Sequence, residues 1–261
     1  MSKSVGLVVP CYNESNRFPY SMWKELVDSI DRCVFLFVDD GSKDSTDQIL
    51  RKLEGESNIK VLALDSNLGK GNAIRQGFMY LQEIAPDLGA MGYVDSDGAF
   101  SAEDITRILE SSREALINAD SGDLDAVISS RVALAGRNIK RKLSRHYLGR
   151  IIATVLTSNW ENAPYDTQCG FKIFRKSEYF LKAIQEPFIT RWFIDIELMM
   201  RIGRNKPDKL HLWEEPLNQW REVPGSKLRP NSFMRIVLEI QIARREIRAY
   251  QLEKRNFDGS N

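Results

Sequence analysis

The chain has 261 residues, with 37 Lys+Arg against 36 Asp+Glu, which gives a formal net charge of +1. Hydrophobic residues make up 43% and charged residues 28%, a composition typical of a globular protein with a substantial core. The balanced charge disfavours a basic nucleic-acid-binding protein and an acidic disordered tail. Three widely spaced cysteines and two histidines disfavour a disulfide framework and a histidine-rich metal site.

Targeting signals are not evident in the sequence. The apolar run at the N-terminus is interrupted at Pro10, which is too early for the apolar segment of a secretory signal. No stretch approaches the roughly 18 uncharged apolar residues of a membrane-spanning helix. We therefore expect a cytoplasmic protein that, if it acts at a membrane, contacts the inner face from the surface.

The first 130 residues alternate short apolar runs with amphipathic segments. The apolar runs predict strands at Val5–Val9, Cys33–Val38, Val61–Leu64, Met91–Val94 and Ala126–Ser130. The segments between them predict helices over Arg17–Ile30, Thr46–Leu53, Asn72–Ile84 and Ala102–Ala119. This alternation indicates an α/β fold with a Rossmann-like, mostly parallel central sheet flanked by helices.

The second half of the chain has a different pattern. Gly136–Arg150 is strongly basic, and Trp192–Ile202 reads as a buried helix that carries two carboxylates. Trp220–Pro230 is predicted to be a loop. Ser232–Arg255 is predicted to form a long amphipathic helix, which either packs on its own domain or lies on an anionic membrane.

Polar residues gather where the predicted strands end, at Tyr12–Glu14, Asp39–Asp40, Asp95–Asp97 and Ser130–Arg131. One such loop is most simply a turn or a helix cap. Four on one edge of a parallel sheet favour a ligand site, because ligands bind beyond the carboxyl ends of such strands.

Two of these features carry specific chemistry. Asp95 and Asp97 flank Ser96 on a tight turn, and two carboxylates so placed suit a divalent cation that also binds phosphate oxygens. Such an ion stabilises the charge that builds on a departing diphosphate. Asn67–Asn72 resembles a phosphate-approach loop, although it has neither the Walker A spacing nor GxGxxG.

Eight segments occur in an order that is specific to one family. They are Pro10–Glu14, Val38–Thr46, Asn67–Gly71, Asp95–Asp97, Ser130–Arg131, Asp166–Lys172, Asp195–Leu198 and Gly225–Leu228. Together they resemble the family 2 glycosyltransferases of GT-A fold, and the later segments narrow the likeness to the dolichyl-phosphate glucosyltransferase and mannosyltransferase branch. The resemblance implies a glycosyltransferase domain over 1–231, with a nucleotide-sugar half over 1–131, an acceptor half over 132–231, and a C-terminal amphipathic helix and tail over 232–261.

The resemblance also implies a reaction and its residues. It implies an inverting, metal-dependent hexosyltransferase that uses a nucleotide-diphospho-sugar, UDP-glucose or a related hexose donor, with Mg²⁺ or Mn²⁺ as cofactor. The metal would be held by Asp97 and Asp95, and the catalytic group would be Asp97, Asp195 and Arg131. The nucleotide-sugar would be bound by Pro10, Tyr12, Glu14, Asp39, Asp40, Lys70, Asp95, Ser96 and Asp97.

The residues that the transfer requires depend on the chemical class of the acceptor. A sugar hydroxyl needs a base, for which Asp195 is placed, whereas a prenyl phosphate is already an anion and needs cations to hold it. The candidate cations are Arg131, Arg141, Lys142, Arg145, Arg221 and Lys227. We expect a polyprenyl phosphate acceptor and peripheral membrane contact, and no nucleic-acid partner.

Three alternatives remain at this point. The first is a soluble family 2 enzyme that extends a glycan or polysaccharide, with Asp195 as base. The second is a non-catalytic nucleotide-sugar-binding or scaffold protein. A sugar-1-phosphate nucleotidyltransferase is disfavoured, because the N-terminal loop reads Pro10–Glu14 in place of a glycine-rich segment.

Overall fold

The computed structural model describes residues 4–54, 58–119, 122–141, 143–158, 160, 163–223 and 233–258, except the side chains of 143–146, 148, 233–236 and 255–258. Its strands are β1 Val5–Cys11, β2 Cys33–Asp39, β3 Ile59–Ala63, β4 Ala90–Val94, β5 Ala126–Ser130, β6 Asn138–Lys140, β7 Phe171–Arg175, β8 Leu212–Pro216 and β9 Gln219–Arg221. Its α-helices are α1 Tyr20–Ser29, α2 Thr46–Arg51, α3 Lys70–Ile84, α4 Ala102–Arg113, α5 Leu143–Thr157, α6 Glu178–Ala183, α7 Ile194–Asn205 and α8 Phe233–Asp258.

Seven strands form one sheet in the order β3-β2-β1-β4-β7-β5-β8. All neighbours in it are parallel except β7, which runs antiparallel to both β4 and β5. The α/β fold and its mostly parallel sheet are therefore confirmed. Because β7 reverses between them, β4 and β5 point the same way, and the loops after β1, β2, β4 and β5 gather at one edge.

Both faces of the sheet are covered, which explains why its strands read as unbroken apolar runs. Along β2, Leu36 and Val38 face a core formed with α3, α6, α7 and α8, while Phe35 and Phe37 face a core formed with α1 and α4. Trp23 of α1 packs edge-on against Phe37 at a centroid distance of 5.3 Å.

Several helix boundaries differ from the sequence prediction: α2 ends at Arg51 instead of Leu53, and α7 spans Ile194–Asn205 instead of Trp192–Ile202. Three further differences have identifiable reasons. Helix α1 begins at Tyr20 instead of Arg17, directly after Pro19, whose fixed φ suits a position at a helix start but not inside one. Helix α3 begins at Lys70, since Gly69 ends the preceding loop with a φ of +84°. The segment predicted as helix to Ala119 leaves the α-helical pattern at Arg113 and ends in a π-helical turn, Glu114–Asn118.

The predicted loop at Trp220–Pro230 is partly wrong. Gln219–Arg221 forms strand β9, which pairs in parallel with β6 as a small second sheet, and Trp220 also bridges to Phe100. Residues 224–230 of that prediction lie outside the described part of the chain.

Helix α8 packs on its own domain through Ala243, Ile247 and Tyr250, which are buried against α7. Tyr250 fills the space beside Gly203, where an added Cβ would lie 2.6 Å from the Tyr250 ring. Within the described ranges, none of the helices is long and apolar enough to span a bilayer.

Candidate active site

The loops after β1 and β2 are fastened to each other by short polar contacts. The Asn13 backbone N–H donates to Ser42 Oγ at 2.9 Å, and Lys43 N–H donates to Asn13 Oδ1 at 2.9 Å. The Glu14 N–H donates to Thr46 Oγ1 at 2.8 Å. Asn13 has a φ of +49°, a left-handed conformation that asparagine tolerates better than most residues. These contacts fix the position of the Pro10–Glu14 segment relative to the end of β2.

The two aspartates after β2 have different surroundings. Asp39 is buried at the end of the strand and accepts from the Ser42 N–H at 3.0 Å. Asp40 accepts from the N–H groups of Leu68 at 2.7 Å and Gly69 at 2.9 Å, and from Asn67 Nδ2 at 2.8 Å. Burial raises the pKa of Asp40, and the two amides oppose that rise. Asp40 therefore shapes the loop that leads into α3.

The turn after β4 presents two carboxylates. The Trp23 indole N–H donates to the Ser96 carbonyl at 2.9 Å, which fixes the turn to helix α1. Asp95 lies against Gly170, where an added Cβ would be 2.1 Å from Asp95 Oδ2, so only glycine leaves room for this carboxylate. Asp97 accepts from the Ala99 N–H at 3.1 Å.

Each of these carboxylates faces a cation. Lys70 Nζ lies 2.5 Å from Asp95 Oδ1. Arg17 Nη1 lies 3.7 Å from Asp97 Oδ2, and the same guanidinium makes two hydrogen bonds to Glu14. Burial would lower the pKa of Lys70, but the carboxylates of Asp95 and Asp195 outweigh it and raise that pKa. The lysine stays charged beside the turn.

The same two carboxylates suit a divalent cation. Burial, followed by repulsion from Asp95, raises the pKa of Asp97, and a bound cation would relieve that repulsion. Carboxylate oxygens are hard ligands of the kind that Mg²⁺ and Mn²⁺ prefer. Within the described residues, no group of three or more His, Cys, Asp or Glu side chains could hold a metal ion. Mg²⁺ at sites of this kind usually takes one or two protein carboxylates together with substrate phosphate oxygens and water, and Asp97 and Asp95 would supply the carboxylates.

Asp195 lies in the first turn of α7 and forms a buried network with two residues of the central sheet. Lys172 Nζ donates to Asp195 Oδ1 at 2.7 Å, and the Tyr93 hydroxyl donates to the same oxygen. Tyr93 and Lys172 are register partners across β4 and β7, and neither side chain is exposed. The Asp195 charge is therefore matched by a buried lysine that the sequence prediction did not place in the site.

Glu197, the second carboxylate of α7, has a structural function. It accepts from the backbone N–H groups of Ile189 and Thr190 and from the guanidinium of Arg201. These bonds hold the segment before α7 in place.

Two of the predicted acceptor cations, Arg131 and Arg141, lie beside the ring of Trp220. Arg131 makes two side-chain hydrogen bonds to Asp166, at 2.6 and 2.7 Å. Burial alone would lower the pKa of Arg131, but the carboxylate of Asp166, with a smaller effect from Asp95, outweighs it and raises that pKa. The guanidinium carbons of Arg131 and Arg141 lie 5.3 and 6.0 Å from the ring centre of Trp220. Arg221 is exposed on β9. The predicted cations Lys142, Arg145 and Lys227 have side chains outside the described part of the chain.

Sequence reasoning missed several residues of this site. Arg17 follows Glu14 by three residues, and that spacing was a usable signal. The sequence signals for Lys172 and Trp220 were weak. Lys172 lies within an apolar strand, and Trp220 lies within a segment that was predicted to be a loop. Their positions depend on the reversal of β7 and on the pairing of β9 with β6.

Relatives of known activity resemble this chain over most of its length. A dolichyl-phosphate beta-glucosyltransferase of Saccharomyces cerevisiae is 30% identical over 244 residues, which span 86% of this chain and 69% of the relative. The human dolichyl-phosphate beta-glucosyltransferase is 28% identical over 241 residues, spanning 88% of this chain and 71% of the relative.

A solved structure shares the fold. Glucosyl-3-phosphoglycerate synthase from Mycobacterium tuberculosis, in complex with Mn²⁺, UDP-glucose and phosphoglyceric acid, superposes with a TM-score of 0.62 at 15% identity. The match covers 93% of this chain and 79% of that one. The family model for glycosyl transferase family 2 matches residues 7–182. The chain belongs to glycosyltransferase family 2 and is a transferase of GT-A fold.

Proposed function

We propose that the protein transfers glucose from UDP-glucose to a polyprenyl phosphate, with inversion at the anomeric carbon and with Mg²⁺ or Mn²⁺ at Asp97 and Asp95. The observation that carries the proposal is the position of Arg131 near Asp95 of the carboxylate turn, with Arg141 at the same Trp220 ring as Arg131. The names of the dolichyl-phosphate glucosyltransferase relatives support the sugar and the acceptor class.

The donor would lie along the loops after β1, β2 and β4. Pro10, Tyr12 and Glu14 would line the base and ribose, with Asp39 at the edge of the base, and Asp95 with Ser96 would meet the ribose or the sugar. Lys70, held charged beside Asp95, would move onto the diphosphate. The divalent ion would supply charge neutralisation at the diphosphate.

The transfer itself would need no proton acceptor. A phosphate oxygen of the acceptor would attack the anomeric carbon, the bond from that carbon to the diphosphate oxygen would break, and UDP would leave with the electron pair. Both reactants are anions, so Arg131 and Arg141 would hold the acceptor phosphate against the repulsion of the diphosphate. The pairing of Asp195 with Lys172 and Tyr93 favours this chemistry over a hydroxyl acceptor, which would require a carboxylate ready to take a proton.

A membrane-contacting surface would bring the lipid to this site. Tyr147, Ile151 and Val155 form a stripe at four-residue spacing on α5, and they are 64%, 61% and 39% exposed. The opposite face of α5 packs inward through Ala153 and Leu156. We propose that this stripe, and not α8, contacts the bilayer that holds the acceptor.

The donor is tested by thermal stabilisation. UDP-glucose, UDP-galactose, GDP-mannose and free UDP are each added with Mn²⁺, and the expected result is the largest rise in Tm with UDP-glucose. A larger shift with GDP-mannose would contradict the proposed donor. Transfer to a short-chain prenyl phosphate is then measured with the stabilising donor, and the anomeric configuration of the product is read by NMR.

The acceptor class is tested with Asp195→Asn. Transfer to the prenyl phosphate is expected to continue in the folded variant, because that acceptor gives up no proton. Transfer to a sugar hydroxyl, if wild type catalyses it, is expected to be lost. Equal loss with both acceptors would contradict the proposed chemistry, and transfer to hydroxyls alone in wild type would replace it with the glycan-extending alternative.

A further inference from the structure

Trp220 has an unusual set of neighbours for a residue in a short strand. Its ring centre lies 5.3 Å from the guanidinium carbon of Arg131 and 6.0 Å from that of Arg141. An indole face attracts cations within about 6 Å, so the single ring supports two arginines. Two like charges would otherwise move apart.

The backbone of Trp220 is fixed to the turn that follows the candidate metal ligands. Trp220 pairs with Phe100 in an isolated antiparallel bridge, and the N–H of Arg221 donates to the carbonyl of Ala99 at 3.3 Å. On its other side, Trp220 is the register partner of Ile139 in β6. The turn and the residue whose ring holds the two arginines are therefore joined directly through the backbone.

The charges around Trp220 are not balanced. Asp166 pairs with Arg131, whereas Arg141 makes no ion pair with any residue that the structure describes. Burial and the nearby Arg131 both lower the pKa of Arg141, which is the expected response of a cation held close to another cation. An anion bound between the two guanidinium groups would remove this penalty.

Cations also surround a cavity that Trp220 lines. The cavity has a volume of about 270 Å³, and its walls include Trp220, Phe100 and Met22. Lys140 and Arg221, which are register partners in the small sheet, contribute to its rim. Its lining combines aromatic and aliphatic side chains with two cations, which suits a phosphate joined to an alkyl chain; Arg131 and Arg141 are not among the residues that line it.

We infer that Trp220 is a positioning residue for the acceptor phosphate: its indole holds Arg131 and Arg141 as one anion clamp, and its backbone ties that clamp to the turn carrying Asp97. Trp220 does not touch the reacting atoms. The inference rests on the proposed phosphate acceptor and adds to it the residue that couples the donor turn to the acceptor cations.

The test compares Trp220→Leu, Trp220→Phe and, as a matched control, Trp213→Leu, whose tryptophan is 58% exposed on β8. Calorimetry without donor measures the affinity for a short-chain prenyl phosphate and for inorganic phosphate. Steady-state kinetics then give KM for the donor, and thermal unfolding gives Tm. If Trp220→Leu does not fold, Trp220→Met takes its place, since it fills space without a π face.

Trp220→Leu is expected to weaken binding of both anions about tenfold, the size of one to two lost cation–π contacts. Trp220→Phe keeps a ring and is expected to stay within about threefold of wild type. Donor KM should change less than about twofold in every variant, and Trp213→Leu should bind both anions as wild type does.

The outcomes separate the inference from the proposed function. Wild-type anion binding by Trp220→Leu overturns the inference and leaves the acceptor proposal standing. If anion affinity falls and donor KM rises by the same factor, and Tm is lower in both Trp220 variants, then Trp220 has only a structural role. That result also overturns the inference. If wild type binds inorganic phosphate and Trp220→Leu loses it, yet no glucose reaches the prenyl phosphate, the clamp is supported and the proposed acceptor is wrong. If wild type binds neither anion, the inference is wrong.

Discussion

The two sides of the site hold their charged groups by different means. On the proposed donor side, Asp39, Asp40 and Asp97 accept hydrogen bonds from backbone N–H groups of the loops they shape. On the proposed acceptor side, Arg131 and Asp195 are held by other side chains, from residues 35 and 23 positions away in sequence. A backbone N–H is present whatever side chain its residue carries, whereas a charge held by side chains depends on the identity of those partners. Mutations on the two sides should therefore fail in different ways.

The largest effect is expected at the donor turn. Asp97→Asn removes one carboxylate charge from the candidate metal site but retains an oxygen for the Ala99 amide. Turnover is expected to fall about thousandfold, the range seen when charge stabilisation of a reacting group is lost, while the free energy of unfolding changes little. Steady-state rates and the Mn²⁺-dependent rise in Tm with UDP measure this.

The control for that variant is Asp87→Asn, at an exposed carboxylate after α3. It should match wild type in rate and in Tm. Full activity of Asp97→Asn would show either that the metal binds at another site or that the reaction does not require it.

Substitutions on the proposed acceptor side should mainly lower the free energy of unfolding. Lys172→Met leaves Asp195 buried with Tyr93 as its remaining described donor, and the loss of one partner from a buried pair costs about 3–5 kcal/mol of unfolding free energy. Urea denaturation measures this. The double variant Lys172→Met with Asp195→Asn removes both charges, so it should be more stable than Lys172→Met alone.

Strict additivity of the two single changes would contradict the pairing, because groups in direct contact are expected to couple. Lys60→Met provides a comparison on the edge strand β3, where the lysine side chain is exposed. Its effect on the unfolding free energy should be within about 0.5 kcal/mol.

This same contrast explains how far the sequence could be interpreted. The strand Ala126–Ser130 was predicted to the residue, and the turn Asp95–Asp97 was placed at the correct edge, because both depend on local pattern. The reversal of β7 was not predicted, since a short apolar run has no direction until its partners are known. The positions of Lys172 and Trp220 in the site follow from that reversal and from the β6–β9 pairing, so the segment Asp166–Lys172 was identified without a role for its lysine, and Trp220 was placed in a loop.

The acceptor side should also show a distinct response to acid. Burial alone would raise the pKa of Asp166, but the Arg131 guanidinium outweighs it and lowers that pKa to about 2. An unfolded aspartate titrates near 3.9, so the pair contributes about 2 kcal/mol above that pH and loses it as the pH falls toward 2. Unfolding free energies between pH 5 and pH 2.5 should therefore fall less steeply for Asp166→Asn than for wild type.

Asp44 on the donor side provides the comparison for this titration. Burial alone would raise the pKa of Asp44, but the hydrogen bonds from Thr46 and Ser15 together outweigh it and lower that pKa to about 2, although the side chain is exposed. Asp44→Asn should reduce the acid dependence less than Asp166→Asn does, because water screens an exposed group. The opposite order would mean that amide and hydroxyl bonds hold charge as strongly as the buried guanidinium.

The smallest effect on the free energy of unfolding is expected at Asp40, a carboxylate that is bound by backbone amides. Asp40→Asn keeps one oxygen for the amides of Leu68 and Gly69 but replaces the other with an amide nitrogen, which cannot accept. One loop N–H then lacks its partner, at a cost of about 1–2 kcal/mol in unfolding free energy. Because Lys70 directly follows this loop, donor KM should rise several-fold while acceptor affinity is unchanged. Asp65→Asn, at an exposed carboxylate before the same loop, should alter neither quantity. A change in acceptor affinity with constant donor KM would contradict the separation of the two sides, because the Asp40 carboxylate has its described hydrogen bonds in the loop before α3 and none with Arg131 or Arg141.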